Sequence, residues 1–128
     1  MGVDEWLEAY RVAWERADAD AAAALFTDDA IYWSSPFREP HRGHDGIREY
    51  WSIATATQTG ARVQMGRPIS EGNRTAAEWW ATMRDDGDEI TLPGILFLRF
   101  APDGRCEELR ETWMLAEGIL EPHPGWGS

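Results

Sequence analysis

A carboxyl group set among apolar neighbours is the first place to look for chemistry in this chain. In Leu109-Arg-Glu-Thr-Trp113, read as a strand, Leu109, Glu111 and Trp113 fall on one side, with Glu108 and Arg110 on the other. Burial on an apolar face would raise the pKa of Glu111 into the useful range for a general acid or base. Pairing with an arginine, or a solvated rim position, would instead make it structural. Glu78 is the second carboxylate of interest. Alternation separates Ala77, Trp79, Ala81 and Met83 from Glu78, Trp80 and Thr82. His41 and His44 flank Arg42-Gly43, with Asp45 next, but a metal site needs a third ligand and none is near. His44 reads as a helix-start residue. His41, in a loop, is the better general acid by its near-neutral pKa. His123 lies between prolines and reads as solvated, and Cys106 as packing rather than nucleophile. No glycine-rich phosphate loop and no serine elbow is present, so neither a metal nor a cofactor is expected.

The elements that would position these residues follow from periodicity. Val3, Trp6, Leu7, Tyr10, Trp14 and Ala17 recur at helical spacing, which predicts a helix over 4–18. Asp20 would cap a short second helix ending near Phe26. Residues 30–34 are β-branched and aromatic and predict a strand; 35–43 is a loop with two prolines. A third helix opens at His44 or Asp45 and carries Ile47, Tyr50, Trp51 and Ala54. Gly72-Asn73, Asp86-Gly87 and Asp103-Gly104 then divide the rest into four strands, near 61–70, 74–85, 89–101 and 105–116. The third of these, around Ile90 to Phe100, is apolar on both faces: Leu92, Leu96, Leu98 and Phe100 on one, Ile95 and Phe97 on the other. Pro93 and Gly94 within it predict a bend, a bulge or a close backbone approach. Residues 117–128 are expected to be irregular. The order ααβαββββ, with hairpin-linked strands, gives an α+β class: an antiparallel meander with helices on one face.

Composition bounds the rest. The chain has 128 residues, 43% hydrophobic and 27% charged, which is one globular domain. A formal charge of −11 argues against nucleic acid and anionic membranes. No apolar run reaches membrane-spanning length and the N-terminus is acidic, so a cytoplasmic protein is expected. The single cysteine allows no internal disulfide. All 12 basic residues are arginine, which excludes Schiff-base chemistry. Eight tryptophans is a high number, and each needs apolar contact and a partner for its N–H.

Several stretches carry a family resemblance: Ala24-Leu-Phe-Thr-Asp-Asp-Ala30 before an aromatic strand, Glu39-Pro-His-Arg-Gly-His-Asp-Gly-Ile-Arg-Glu-Tyr-Trp51, Asp103-Gly-Arg-Cys-Glu-Glu-Leu-Arg-Glu-Thr-Trp113 and the Pro-Gly-Trp-Gly tail. In this order the chain resembles the nuclear transport factor 2-like superfamily, in its SnoaL-like and ketosteroid-isomerase-like branch. The resemblance implies a cone, a curled sheet wrapped by three helices, with a pocket at the open end and a homodimer formed through the sheet. It also places the Glu111 face, Trp79 and Met83 towards the pocket, Glu78 and Trp80 on the outer face, and His41 at the rim. Against ketosteroid isomerase, Tyr10 matches the helix-one tyrosine. The base aspartate falls on Ser34 or Ser35, and the protonated aspartate on Leu96, so that mechanism as it stands is not expected. The expected catalytic residues are Glu111, with Tyr10 and His41 as helpers. The expected lining is Trp14, Trp33, Phe37, Tyr50 or Trp51, Trp79, Met83, Leu96, Leu98 and Trp113, which suits a small apolar, polycyclic organic ligand. Two functions are open: a non-catalytic binding domain, or a cofactor-free isomerase, cyclase or dehydratase.

Overall fold

The computed structural model describes all residues from Met1 to Ser128. Helix α1 (Val3–Glu15) buries Trp6, Leu7, Tyr10, Ala13 and Trp14, one stripe at three- and four-residue spacing. Ala17, at φ 53°, turns the chain into α2 (Ala19–Ala23), where Asp18 rather than Asp20 is the cap: its carboxylate accepts from Ala21 N at 3.0 Å. Strand β1 (Phe26–Trp33) starts four residues earlier than the pattern predicts, and β2 (His41–Arg42) pairs back onto it. Helix α3 (Gly43–Ala56) buries Ile47, Trp51 and Thr55. The sheet continues through β3 (Gln58–Met65), β4 (Ile69–Glu71), β5 (Arg74–Asp85), β6 (Asp88–Phe100), β7 (Cys106–Trp113) and β8 (Ala116–Glu117).

The strands run β2-β1-β7-β6-β5-β3 in space, with β4 beside β5 and β8 beside β6. The hairpin-linked meander is antiparallel, as its glycine turns predict. The single exception is β1, which lies parallel to β7 because the intervening chain supplies the crossover. The curled sheet does not close, and the helices wrap one face, so the fold is the α+β cone. The span 61–70 divides into β3 and β4 around Gly66-Arg67-Pro68.

Strand β6 is the spine. Leu96 and Leu98 are fully buried on the inner face, while Ile95 on the outer face is 53% exposed. Its pairing with β5 runs from Arg99 to Asp88 without a register shift, so Pro93-Gly94 makes no bulge there. Gly94 serves the close approach instead. It lies opposite Trp79, and a Cβ on it would collide with the Trp79 indole. The tail is more ordered than its composition predicts. Trp80 Nε1 donates to Leu120 O at 2.9 Å, Trp126 packs edge-on at 5.9 Å from Trp80, and Gly127 N donates to Glu78 Oε1 at 3.2 Å. Glu78 and Trp80 thus lie on the outer face, covered by the chain's own C-terminus.

Candidate functional site

On the inner face Glu111 lies across from Leu96, between the pairs Leu109–Leu98 and Trp113–Gly94. Its residue is only 7% exposed and it makes no salt bridge. The residue that meets it is Tyr32, from β1. The Tyr32 hydroxyl donates to Glu111 Oε1 at 3.3 Å and shares a 2.8 Å hydrogen bond with the Tyr10 hydroxyl of α1. Burial pushes the Glu111 carboxyl up to about 8, and the Tyr32 bond offsets only part of that. Burial, with the nearby Glu111 charge, also raises the phenols of Tyr10, Tyr32 and Tyr50. At neutral pH the raised pKa keeps the Glu111 carboxyl protonated, so this buried group of hydrogen bonds is uncharged.

His41 sits on β2, paired with Tyr32. Its ring lies 4.5 Å from Tyr50, which is 5.1 Å from Tyr32, and its Nε2 is 3.2 Å from Ser34 Oγ. Burial lowers its pKa against the opposing pull of Glu49, so the ring is neutral at pH 7 and able to accept a proton. A cleft of about 640 Å³, lined by Ser34, Arg38, His41, Glu49, Tyr50 and Ile53 among others, opens beside it, and neither Glu111 nor the buried tryptophans line it. His44 turns away and bonds the Phe26 carbonyl at 2.7 Å, so the two histidines do not share a site.

The structure joins Glu111 to Tyr10 through Tyr32, and sets His41 against Tyr50 rather than against the acid. Trp14, Trp51 and Trp79 pack edge to face inside, with Trp14 5.3 Å from Trp51 and 5.2 Å from Trp79. Tyr50 joins the same cluster 5.6 Å from Trp51, so both residues of that open alternative face inward. Met83, Leu96 and Leu98 are buried on this face. Trp113 is 45% exposed at the rim, its Nε1 bonded to Ser34 O at 2.9 Å. Two expected lining residues are misplaced. Phe37 is 94% exposed, swung out after Pro36. Trp33 points to the outer face because Ala30 and Tyr32 take the inner one. Tyr32 is the partner of Glu111 that the sequence reading missed. Ile31, Tyr32 and Trp33 are all bulky and apolar enough for either face, so the strand's phase had only Ala30 to mark it. The Cys106 thiol, pushed up to about 12 by burial, donates to Glu108 O at 3.1 Å and is packing.

The family model for the SnoaL-like domain matches residues 6–109. The chain belongs to the SnoaL-like family. Among solved structures, this SnoaL-like domain is similar to SalBIII, an epoxide hydrolase/cyclase-like enzyme of pyran ring formation in polyether salinomycin. That match has a TM-score of 0.79 at 17% identity over 89% of this chain and 94% of the other. It is also similar to a hypothetical protein of ketosteroid isomerase-like fold from Catenulispora acidiphila, solved with trimethylamine, with a TM-score of 0.78 at 17% identity over 87% and 86% of the two chains. At such identities the likeness shows the fold. No curated protein matches the SnoaL-like chain at a significant level.

Proposed function

We propose that this SnoaL-like domain binds a small, largely apolar organic molecule at the open end of the cone and moves protons on it without a cofactor, as an isomerase, cyclase or dehydratase does. The observation that carries the reading is the buried Glu111 carboxyl, held by Tyr32, itself bonded to Tyr10, and by no cation. A buried acid without a charged partner opposes folding at neutral pH, which is a cost that packing alone does not explain. Glu111 is the acid. It sits directly across the sheet from Leu96, the position that the ketosteroid isomerase comparison gives to a protonated aspartate, so the acid here comes from the neighbouring strand. Neutral His41 bonds Ser34, the position given to the base, and supplies the proton acceptor. On a ketone, His41 Nε2 takes a proton from the carbon beside the carbonyl. Glu111 delivers its own to the carbonyl oxygen, leaving an enol, and proton return completes an isomerisation. The cyclase likeness of SalBIII fits the same donor–acceptor pair.

The test is hydrogen exchange on 1-tetralone in D2O, followed by proton NMR. The parent should exchange the protons beside the carbonyl above the buffer rate, with at least a tenfold loss in Glu111→Gln and in His41→Asn. Thermal stabilisation by the ketone with no exchange in any variant would leave a binding domain only. We also propose a homodimer through the outer face around exposed Ile95, with half-buried Phe97 and Trp33 beside it, since the tail already occupies the Trp80 side.

A further inference from the structure

The outer face of the sheet holds a cleft of its own. It measures about 540 Å³, within the roughly 300–1,000 Å³ of small-molecule sites, and Trp33, Pro36, Ile95, Phe97, Arg74 and Arg110 line it. The strand register brings them together. Arg110 of β7 pairs with Trp33 of β1 on one side and with Phe97 of β6 on the other. A guanidinium stem thus stands between an indole and a phenyl ring. Ile95 and Thr112 form a neighbouring pair. On β5, Ala76 faces Phe97 with a single methyl, and Arg74, two residues before it, reaches the same ring. Glu111 borders the cleft between Arg110 and Thr112, with its carboxyl bonded to Tyr32 on the inner face.

The two arginines are set to receive an anion. Their guanidinium carbons lie 5.2 Å (Arg74) and 4.7 Å (Arg110) from the centre of the Phe97 ring. A guanidinium over a ring is held by the ring's quadrupole and keeps its N–H donors for another partner. The chain supplies little to take them. Glu108, the carboxylate beside them on this face, is held by Arg99 at 2.6 Å and meets Arg110 only through Nε, at 3.5 Å. Both NH2 groups of Arg110 and the whole fork of Arg74 are left without a protein acceptor. In a chain of net charge −11 carboxylates are plentiful, so the open forks do not reflect a shortage of acid.

We propose that this cleft is a second binding site, on the face opposite the Glu111 acid and independent of it, and that it takes a small aromatic carboxylate. The ligand ring lies against Trp33, Ile95 and Phe97, and its carboxylate accepts from Arg110 and Arg74. A planar guanidinium matches a carboxylate with two parallel N–H bonds, which a neutral amide or alcohol cannot return. The aromatic floor gives the ring its contact area, so a bare inorganic anion gains only the charge. The cleft lies on the face proposed above for the homodimer, and there the ligand and the second copy compete for Ile95 and Phe97.

The matched probes are 2-naphthoate and 2-naphthamide, which share a ring system and differ in charge. Binding is followed by titration of a ¹⁵N-labelled protein, reading the backbone amides of Phe97, Arg110 and Thr112. We expect 2-naphthoate to shift these amides and to bind about tenfold more tightly than 2-naphthamide, less so as salt is raised. Arg74→Gln and Arg110→Gln, both surface substitutions, should each weaken 2-naphthoate and together abolish the preference for it. Arg84→Gln removes the same charge at the far end of β5 and should leave binding unchanged. Glu111→Gln should also leave it unchanged, which separates this site from the catalytic reading. Equal binding of the two probes, or 2-naphthoate binding that survives loss of both arginines, overturns the proposal, as does failure of 2-naphthoate to bind. Sedimentation reads the dimer separately: a monomeric parent that binds 2-naphthoate through the two arginines keeps this site and loses the dimer.

Discussion

Glu108 and Glu111 stand three residues apart on one strand and live in opposite worlds. Glu108, on the outer face, meets Arg99 at 2.6 Å and Arg110 at 3.5 Å. The outer face is a mesh of charge and rings, with the Arg74 and Arg110 guanidiniums 5.2 and 4.7 Å from the Phe97 ring. Glu111, on the inner face, meets Tyr32 and no cation. Of 12 arginines in the chain, none pairs with the acid inside the cone. Placing every cation outside keeps the Glu111 proton on at neutral pH; one guanidinium within reach would remove it and leave a structural ion pair.

The largest effect expected from breaking this contrast is at Glu111 itself. Its folded pKa, about 8, lies above the ordinary value of 4.5 that it has when unfolded. The folded state therefore binds the proton more tightly, and stability falls as pH rises from about 4.5 to 8, then levels off. Glu111→Gln keeps the bond from Tyr32 and removes the ionisation. Relative to the parent it should gain up to about 4 kcal/mol between pH 4 and pH 8.5. Urea unfolding of both proteins at the two pH values checks this, and a mutant that is less stable at the higher pH would mean a hidden cation partner.

Tyr32→Phe comes next. It leaves Tyr10 and Glu111 without their shared hydroxyl and should cost about 1–3 kcal/mol. It should also move the stability decline to still higher pH, because the Tyr32 bond is what holds the Glu111 pKa down. A pH series of unfolding midpoints reads both effects, and an unchanged profile would detach Tyr32 from the acid.

Glu108→Gln is the outer counterpart and should cost under ~1 kcal/mol, because its pairs are half-open to water. Added salt should shrink the difference further, whereas the Glu111 effect should survive it. The smallest change in folding is expected from Ile95→Lys, 53% exposed on the outer face. It should leave the chain's unfolding almost unchanged and yet abolish the proposed homodimer in sedimentation. A parent that sediments as a monomer would show that the outer face stays wet.

Sequence alone determined the class, the three helices, the glycine-turned meander and the alternation of β7. Those features are local: period 3.6 in Trp6 to Trp14, period 2 in Leu109 to Trp113, and turns whose glycines sit at positive φ, such as Gly72 and Gly87. It also singled out Glu111 as a carboxyl among apolar neighbours. The tertiary structure decided what Glu111 meets. Tyr32 lies 79 positions away and reaches it through a parallel pairing of the first long strand with the last. No periodicity within either strand encodes that meeting. The phase of β1 was equally closed to local reading, since Ile31, Tyr32 and Trp33 suit either face, and only packing against α1 and α3 set Tyr32 inward and Trp33 outward. Composition marked the tail as irregular, yet its contacts with Trp80 and Glu78 depend on where β5 runs. Residue type and spacing fix which groups are available; which of them lose water together, and so which proton stays on, depends on contacts made across the whole chain.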